Sequence, residues 1–241
     1  MQHRSSVHAG RIRGRLRGMD PVARDYDAVA AAYRREVSGE LAHKPMDRDW
    51  LRGFARAMAG RGLENEAGRG LGKEAGRGLV GDVGCGPGHV TAFLAEEGVE
   101  VLGLDLSPGM VETARAAHPG LRFEVGDLRT LDAAPGRFAG LLAMYSLIHL
   151  EGADLPRALA ACHAALRPGG QFRAAVHLGE GVLRPGRMWG VEVGLGFRLF
   201  APGEVEAALR AAGFTLLESR ARPPVPGHEY PSQRGYVIAR R

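Results

Sequence analysis

The stretch that most constrains this chain is Leu79-Val80-Gly81-Asp82-Val83-Gly84-Cys85-Gly86-Pro87-Gly88. Apolar and small residues run into an acidic one and then into glycines at every second place, after which His89-Val90-Thr91-Ala92-Phe93-Leu94 begins a helical pattern. The spacing predicts a strand, a tight turn and a helix N-terminus. Glycines there permit positive φ and close approach of backbone to a ligand, and the first free N–H groups of the helix can receive a negative group. A second short strand, Val99 to Leu104, ends in Asp105. That is near the spacing at which an acidic side chain meets a ribose in a nucleotide-binding βαβ unit.

With 241 residues, 45% of them hydrophobic, the chain suits one α/β domain with a sizeable core and a small accessory cap. The formal charge of +5 raises nucleic acid as a partner, but the only lysines are Lys44 and Lys73. Several arginines, Arg4, Arg11, Arg13, Arg15 and Arg17, stand ahead of any folded pattern. This tail reads either as a solubilising extension or as an arm touching polyanions. It has no continuous apolar segment like that of a signal peptide, and no stretch is long and apolar enough to span a bilayer. Cys85 and Cys162 have no neighbouring cysteine to form a metal knuckle, so a reduced cytoplasmic protein without a metal site is expected. Cys85 reads as a small side chain beneath a ligand, or as a thiol activated by the helix N-terminus.

Upstream of the glycine turn, Asp25 to Val37 repeats Tyr26, Val29, Ala30, Tyr33 and Val37 near a helical period, and Asp47 to Ala59 carries Trp50, Leu51, Phe54 and Met58 as an apolar stripe. Between them and the first strand, Glu-Ala-Gly-Arg-Gly-Leu recurs from Glu66 and from Glu74, a tract that predicts a linker. Downstream, Pro108 to Ala117 is a helix with Ser107 as N-cap. Leu121 to Val125, Phe138 to Tyr145 and Gln171 to His177 are strands, and Leu155 to Leu166 is a helix. The βα alternation argues a doubly wound, mostly parallel sheet. Residues 179–200 interrupt it as an insertion rich in glycine, with Met188, Trp189, Phe197 and Phe200. A helix over Gly203 to Ala212 follows, then Phe214 to Ser219 and Gly235 to Ala239, which have no room for a crossover and should pair antiparallel. The expected division is a basic tail over 1–20, a helical lid over 21–60, a linker over 61–78 and a cofactor-binding core over 79–241.

The chain resembles the class I S-adenosylmethionine-dependent methyltransferases. The resemblance runs from about Tyr26 to the C-terminus and is carried in order by Asp82-Val-Gly-Cys-Gly-Pro-Gly88, Gly103-Leu-Asp105-Leu-Ser107-Pro-Gly109-Met110, Gly126-Asp127-Leu128 and Leu166-Arg-Pro-Gly-Gly170. It implies a seven-stranded Rossmann-like α/β sheet with an antiparallel C-terminal hairpin, and S-adenosylmethionine as cofactor with S-adenosylhomocysteine as product. The residues also speak against a nicotinamide dinucleotide, because His89 stands where such a turn has the third glycine that allows close packing beneath a pyrophosphate. Carried over by position, the resemblance implies that Asp105 holds the ribose hydroxyls and Asp127, with the Leu128 N–H, the adenine. Leu106 and Met110 would sandwich that ring, and Asp82, Gly84 and Gly86 would hold the amino-acid part. Tyr33, and with it Tyr26, would close over that part, while Cys85, Gly88 and Met144 complete the cofactor set.

The segment Met144-Tyr145-Ser146-Leu147-Ile148-His149-Leu150 falls at the C-terminal edge of the sheet, where open α/β folds bind ligands. His149 is a candidate general base, or a structural histidine bound to a backbone carbonyl. Tyr145 is a candidate wall of the transfer channel and His177 a second acid-base group. Met188, Trp189, Phe197 and Phe200 are candidate walls for an apolar acceptor. The loop His228 to Arg234 is polar enough to enter the site, and Arg220, Arg222 or Arg234 would pair with an anionic acceptor or remain surface charges. The segment after the fourth strand lacks the Asn or Asp with Pro-Pro and an aromatic found in base-amino methyltransferases. Small-molecule methylation on oxygen or nitrogen, as in bacterial specialised metabolism, is therefore the expected activity. RNA or protein methylation and a non-catalytic binding module remain alternatives, and monomer and homodimer are both open.

Overall fold

The computed structural model describes residues 19–60, 78–131 and 134–241, so most of the basic tail and the duplicated tract lie outside the described residues. Two helices come first. Helix α1, Pro21–Val37, starts where Pro21 takes the first position and Asp20 caps it by accepting from the Val22 N–H at 2.8 Å. It begins four residues before the expected Asp25, because the Asp20-Pro21 start signal precedes the apolar period. Helix α2, Pro45–Met58, likewise starts on its proline and buries Trp50, Leu51, Phe54 and Met58.

The sheet is built from β1 (Val80–Val83), β2 (Val101–Asp105), β3 (Arg122–Val125), β4 (Phe138–Met144), β5 (Leu166–Leu178), β10 (Thr215–Arg222) and β11 (Gln233–Arg240). Its order is β10-β11-β5-β4-β1-β2-β3. Strands β3, β2, β1, β4 and β5 run parallel, and β11 enters antiparallel between β5 and β10. The expected seven-stranded sheet with its late antiparallel pair is therefore the one observed. Helices α3 (His89–Glu96), α4 (Pro108–Ala117), α5 (Asp154–Ala165) and α6 (Glu204–Ala211) connect these strands. Ser107 caps α4 through its hydroxyl, which accepts from the Met110 N–H at 3.0 Å.

The two faces of the central strands pack into different clusters, and a register irregularity in β4 between Phe138 and Gly140 puts residues three apart on the same face. Ala139, Leu142 and Ala175 pack under α2 and α3 with Trp50, Phe54 and Leu94. Phe138, Leu141 and Phe172 pack on the other side with α5 and α6. A third cluster joins Val29 and Ala30 of α1 to Met110 of α4 and to Val193 and Leu195 of the insertion. The insertion is folded as nested two-residue ladders: β6 (Val182–Leu183) pairs with β9 (Phe197–Arg198), and β7 (Arg187–Met188) with β8 (Val191–Glu192). Such strands are too short to leave an alternating pattern in the sequence. Among the described residues no helix is long and apolar enough to cross a membrane.

Candidate active site

A cavity of about 590 Å³ opens at the C-terminal edge of β1, β2, β4 and β5, covered by α1 and the insertion. That volume is in the range of small-molecule sites. Tyr26, Tyr33, Asp82, Gly84, Cys85, Gly86, Asp105, Leu106, Met110, Asp127, Leu128, Met144, Tyr145, His149 and His177 all line it. Gly88 does not. A Cβ there would meet the Phe123 ring at 2.7 Å and Ala114 at 3.1 Å, so its role is close packing of the turn on α4 and β3. Phe200 is also absent from the cavity, being wholly buried among α5, α6 and the sheet, whereas Met188, Trp189 and Phe197 do reach it.

The β1 turn is fixed to the neighbouring strand. The N–H groups of Gly84 and Cys85 donate to Leu104 O at 2.7 and 3.0 Å, and Asp105 accepts from the Gly86 N–H at 2.8 Å and the Ser107 N–H at 2.9 Å. Gly84 and Gly86 hold φ of +78° and +54°. Their surroundings differ. A Cβ at Gly84 would lie 2.3 Å from Ser146 Cβ, whereas at Gly86 it would meet nothing nearer than Tyr33 Cε1 at 4.0 Å. Gly86 thus presents open backbone to the cavity.

Asp82 and Asp105 are buried, 1% and 9% exposed, and neither has an ion-pair partner among the described residues. Burial pushes both carboxyls up to about 6, against the opposing pull of the Thr91 hydroxyl on Asp82 and of the two backbone N–H groups on Asp105. Two unpaired buried carboxylates favour a cationic ligand, which would restore their charged forms. Ser146 Oγ, buried beside Gly84, has no hydrogen-bond partner among the described residues. Burial, reinforced by the negative Asp105 and Asp82, raises the Cys85 thiol well above its ordinary value. This corrects the activated-thiol alternative, since only a lowered pKa makes a reactive thiolate.

Asp127 is engaged more fully than the sequence suggested. Arg129 donates to it from its backbone N–H at 2.8 Å and from its guanidinium at 2.8–3.0 Å, and also reaches Asp20 at 2.7 Å. Burial opposes this, but the Arg129 hydrogen bonds lower the Asp127 pKa on balance.

Toward the insertion and the C-terminal loop both histidines of the cavity are held by neighbours. His149 Nδ1 lies 3.2 Å from Gly196 O, and because a carbonyl only accepts, that nitrogen carries the proton. Its Nε2 then accepts from the Tyr26 hydroxyl at 2.8 Å. His149 thereby ties α1 to the insertion, and burial lowers its pKa to about 4. His177 Nδ1 pairs with Ser232 Oγ at 2.9 Å, and burial together with Arg234 lowers it to about 4. Tyr145 holds a positive φ of 55° and lines the cavity.

Behind Tyr145 lies a buried ionic cluster that the sequence reading missed. Arg222 clamps Asp47 at 2.9 Å and Glu229 at 2.6 Å, Lys44 bridges Glu40 at 2.6 Å and Glu229 at 3.4 Å, and Glu40 meets His89 at 2.8 Å. Arg222 and Arg234 are neither surface charges nor free acceptor ligands, with side chains 11% and 3% exposed; Arg220 pairs with Glu218 at 3.2 Å. Burial acts to raise Glu229, but Arg222 and the Val225 N–H bring it down to about 2. Among the described residues no group of three or more His, Cys, Asp or Glu is placed to hold a metal ion.

A family model described as a methyltransferase domain matches residues 80–170, the span from β1 into the start of β5. The matched stretch is a methyltransferase domain. The chain is 30% identical over 154 residues to a demethylmenaquinone methyltransferase of Beutenbergia cavernae, covering 64% of this chain and 57% of that protein. It is 45% identical over 92 residues to a trans-aconitate 2-methyltransferase of Deinococcus radiodurans, covering 37% of this chain and 34% of that one. The match therefore spans about half or less of these curated relatives. Among solved structures, a 1,6-didemethyltoxoflavin-N1-methyltransferase of Burkholderia thailandensis, with bound 1,6-didemethyltoxoflavin and S-adenosylhomocysteine, aligns with a TM-score of 0.57 and 27% identity. That alignment covers 91% of this chain and 90% of that one.

Proposed function

We propose that this chain transfers the methyl group of S-adenosylmethionine to an oxygen or nitrogen nucleophile of a small molecule. The observation that carries the reading is the covered cavity that runs from the unpaired carboxylates Asp82 and Asp105 to the polar wall of Tyr145 and His177. A small cavity closed by α1 and the insertion suits a small acceptor better than a polymer. The relatives above are each named for a small-molecule methylation.

When bound, S-adenosylmethionine supplies a methyl carbon already activated by the sulfonium, so the protein's work is alignment, exclusion of water and disposal of any proton. In this reading Asp105 accepts from the ribose hydroxyls, and Leu106 and Met110 pack on the adenine. Asp82 and the open backbone at Gly86 hold the amino-acid part beneath Tyr33. Leu128 N–H meets the adenine edge, while Asp127, saturated by Arg129, acts by shaping that end of the cavity. Tyr26 and His149 hold the lid shut. His149 is then a latch, since its basic nitrogen is occupied by Tyr26.

Incubation with donor carrying a labelled methyl group, against small phenols, enols and heteroaromatic N–H compounds beside RNA and protein, tests the proposal. Label recovered in a small-molecule product is the expected outcome. Label recovered in RNA or protein contradicts it.

A further inference from the structure

We infer that Tyr145 is the group that receives the acceptor's proton, through a chain Tyr145–Tyr236–Asp47, and that the acceptor is a neutral hydroxyl or ring N–H compound rather than a carboxylate. The inference rests on the methyl-transfer reading above. Its basis is a set of hydrogen bonds whose directions are fixed by chemistry. Tyr236 Oη lies 2.6 Å from Asp47 Oδ1 and 2.9 Å from Arg222 Nε. Arg222 can only donate and the Asp47 carboxylate can only accept, so Tyr236 gives its one proton to Asp47 and accepts from Arg222. Tyr145 Oη, 3.2 Å from Tyr236 Oη, is left with one option, which is to donate to Tyr236. The Tyr145 oxygen therefore faces the cavity with lone pairs alone and invites a donor.

Of the other polar groups at this end, His149, Glu40 and Glu229 are committed among the described residues, while Ser146 Oγ and His177 Nε2 are not. His149 uses both nitrogens. Glu40 is held by His89 and Lys44, and Glu229 by Arg222, Lys44 and the Val225 N–H. Two cations flank the Tyr145 ring, Lys44 Nζ at 6.0 Å and Arg234 at 5.9 Å from its centre, and His177 lies beside it. Neither cation is free to receive a carboxylate. Lys44 is paired with Glu40 and Glu229, and Arg234 donates to Ser232 and to Tyr230 O and sits 3.7 Å from Glu229. An acceptor that arrives protonated matches this wall; an anion meets the lone pairs of Tyr145. In the transfer the nucleophile's electron pair forms the new bond to the methyl carbon while the carbon–sulfur pair leaves with sulfur. The nucleophile's proton passes to Tyr145 Oη, that of Tyr145 to Tyr236 Oη, and that of Tyr236 to Asp47.

The test uses 4-nitrophenol, half ionised near neutral pH, added to protein saturated with S-adenosylhomocysteine, with its phenolate absorption read against pH. The wild-type site should bind the neutral phenol and raise its phenol-to-phenolate ratio about tenfold, one pKa unit. Tyr236→Phe frees the Tyr145 proton to point into the cavity and should reverse the shift, and Tyr145→Phe should abolish it. A wild-type site that binds the phenolate or shows no shift, or a Tyr236→Phe protein that behaves like wild type, overturns the inference. Calorimetric S-adenosylhomocysteine affinity, measured on the same samples, reports separately on the cofactor site. Its loss in wild type would fail the methyltransferase reading itself.

Discussion

Gly84 and Gly86 stand two residues apart in one turn, yet replacing each by alanine should damage different properties. Both hold positive φ, a conformation that costs an L-residue about 1–2 kcal/mol. At Gly84 the new methyl would also lie 2.3 Å from Ser146 Cβ and 3.5 Å from Ser146 Cα, so the segment carrying Tyr145 must move. Overpacking of that kind costs about 1–3 kcal/mol more. Gly84→Ala should therefore lose about 2–5 kcal/mol of unfolding free energy. At Gly86 the methyl meets nothing nearer than 4.0 Å, so Gly86→Ala should lose only the conformational cost, about 1–2 kcal/mol. It projects instead into the space assigned to the cofactor's amino-acid part and should weaken S-adenosylhomocysteine binding by about tenfold or more, some 1.4 kcal/mol. Urea unfolding and calorimetric titration of the two variants separate these effects. Unchanged affinity in a folded Gly86→Ala protein would refute the placement of ligand against this turn.

Other consequences follow from the charges and the lid. Below about pH 6 Asp82 and Asp105 take up protons, so affinity for S-adenosylmethionine should fall as pH drops from 7 to 5, as read by titration at a series of pH values. The sign for the free protein is opposite: with folded pKa values raised above the unfolded ones, these two groups favour folding at low pH, and that contribution is lost as pH rises through about 6. Tyr26→Phe removes the 2.8 Å bond to His149 and should cost the closed lid about 1 kcal/mol, speeding S-adenosylhomocysteine release about fivefold in stopped-flow measurements. Arg222→Ala leaves Asp47 and Glu229 buried without their main cation and should lower stability by about 3–5 kcal/mol in urea unfolding.

What the sequence disclosed and what it hid divide by distance along the chain. Local signals were readable: Ser107 ahead of Pro108 gave the α4 cap, and the alternating glycines gave the β1 turn. Asp105 could be placed because it ends the strand beside that turn. The ionic cluster had no such signature. Asp47 and Arg222 are 175 positions apart, and Tyr236 lies 189 from Asp47, so their hydrogen bonds exist only once β10 and β11 fold against the end of β5. His149 shows the same limit. Its type and place marked it as a candidate, but its partners Tyr26 and Gly196 are 123 and 47 residues away, and they occupy both of its ring nitrogens. Gly88 looked like its neighbours in the motif, and only the position of Phe123 in the folded sheet separates it from them.

The central claim is that the carboxylates at the ends of β1 and β2 form an S-adenosylmethionine site. The most direct measurement is calorimetric titration of wild type and Asp105→Ala with S-adenosylmethionine, S-adenosylhomocysteine and NADH. Micromolar-range binding of the first two, lost in the variant and absent for NADH, is the predicted result. Binding of NADH alone, or of none of the three by folded protein, would contradict the account.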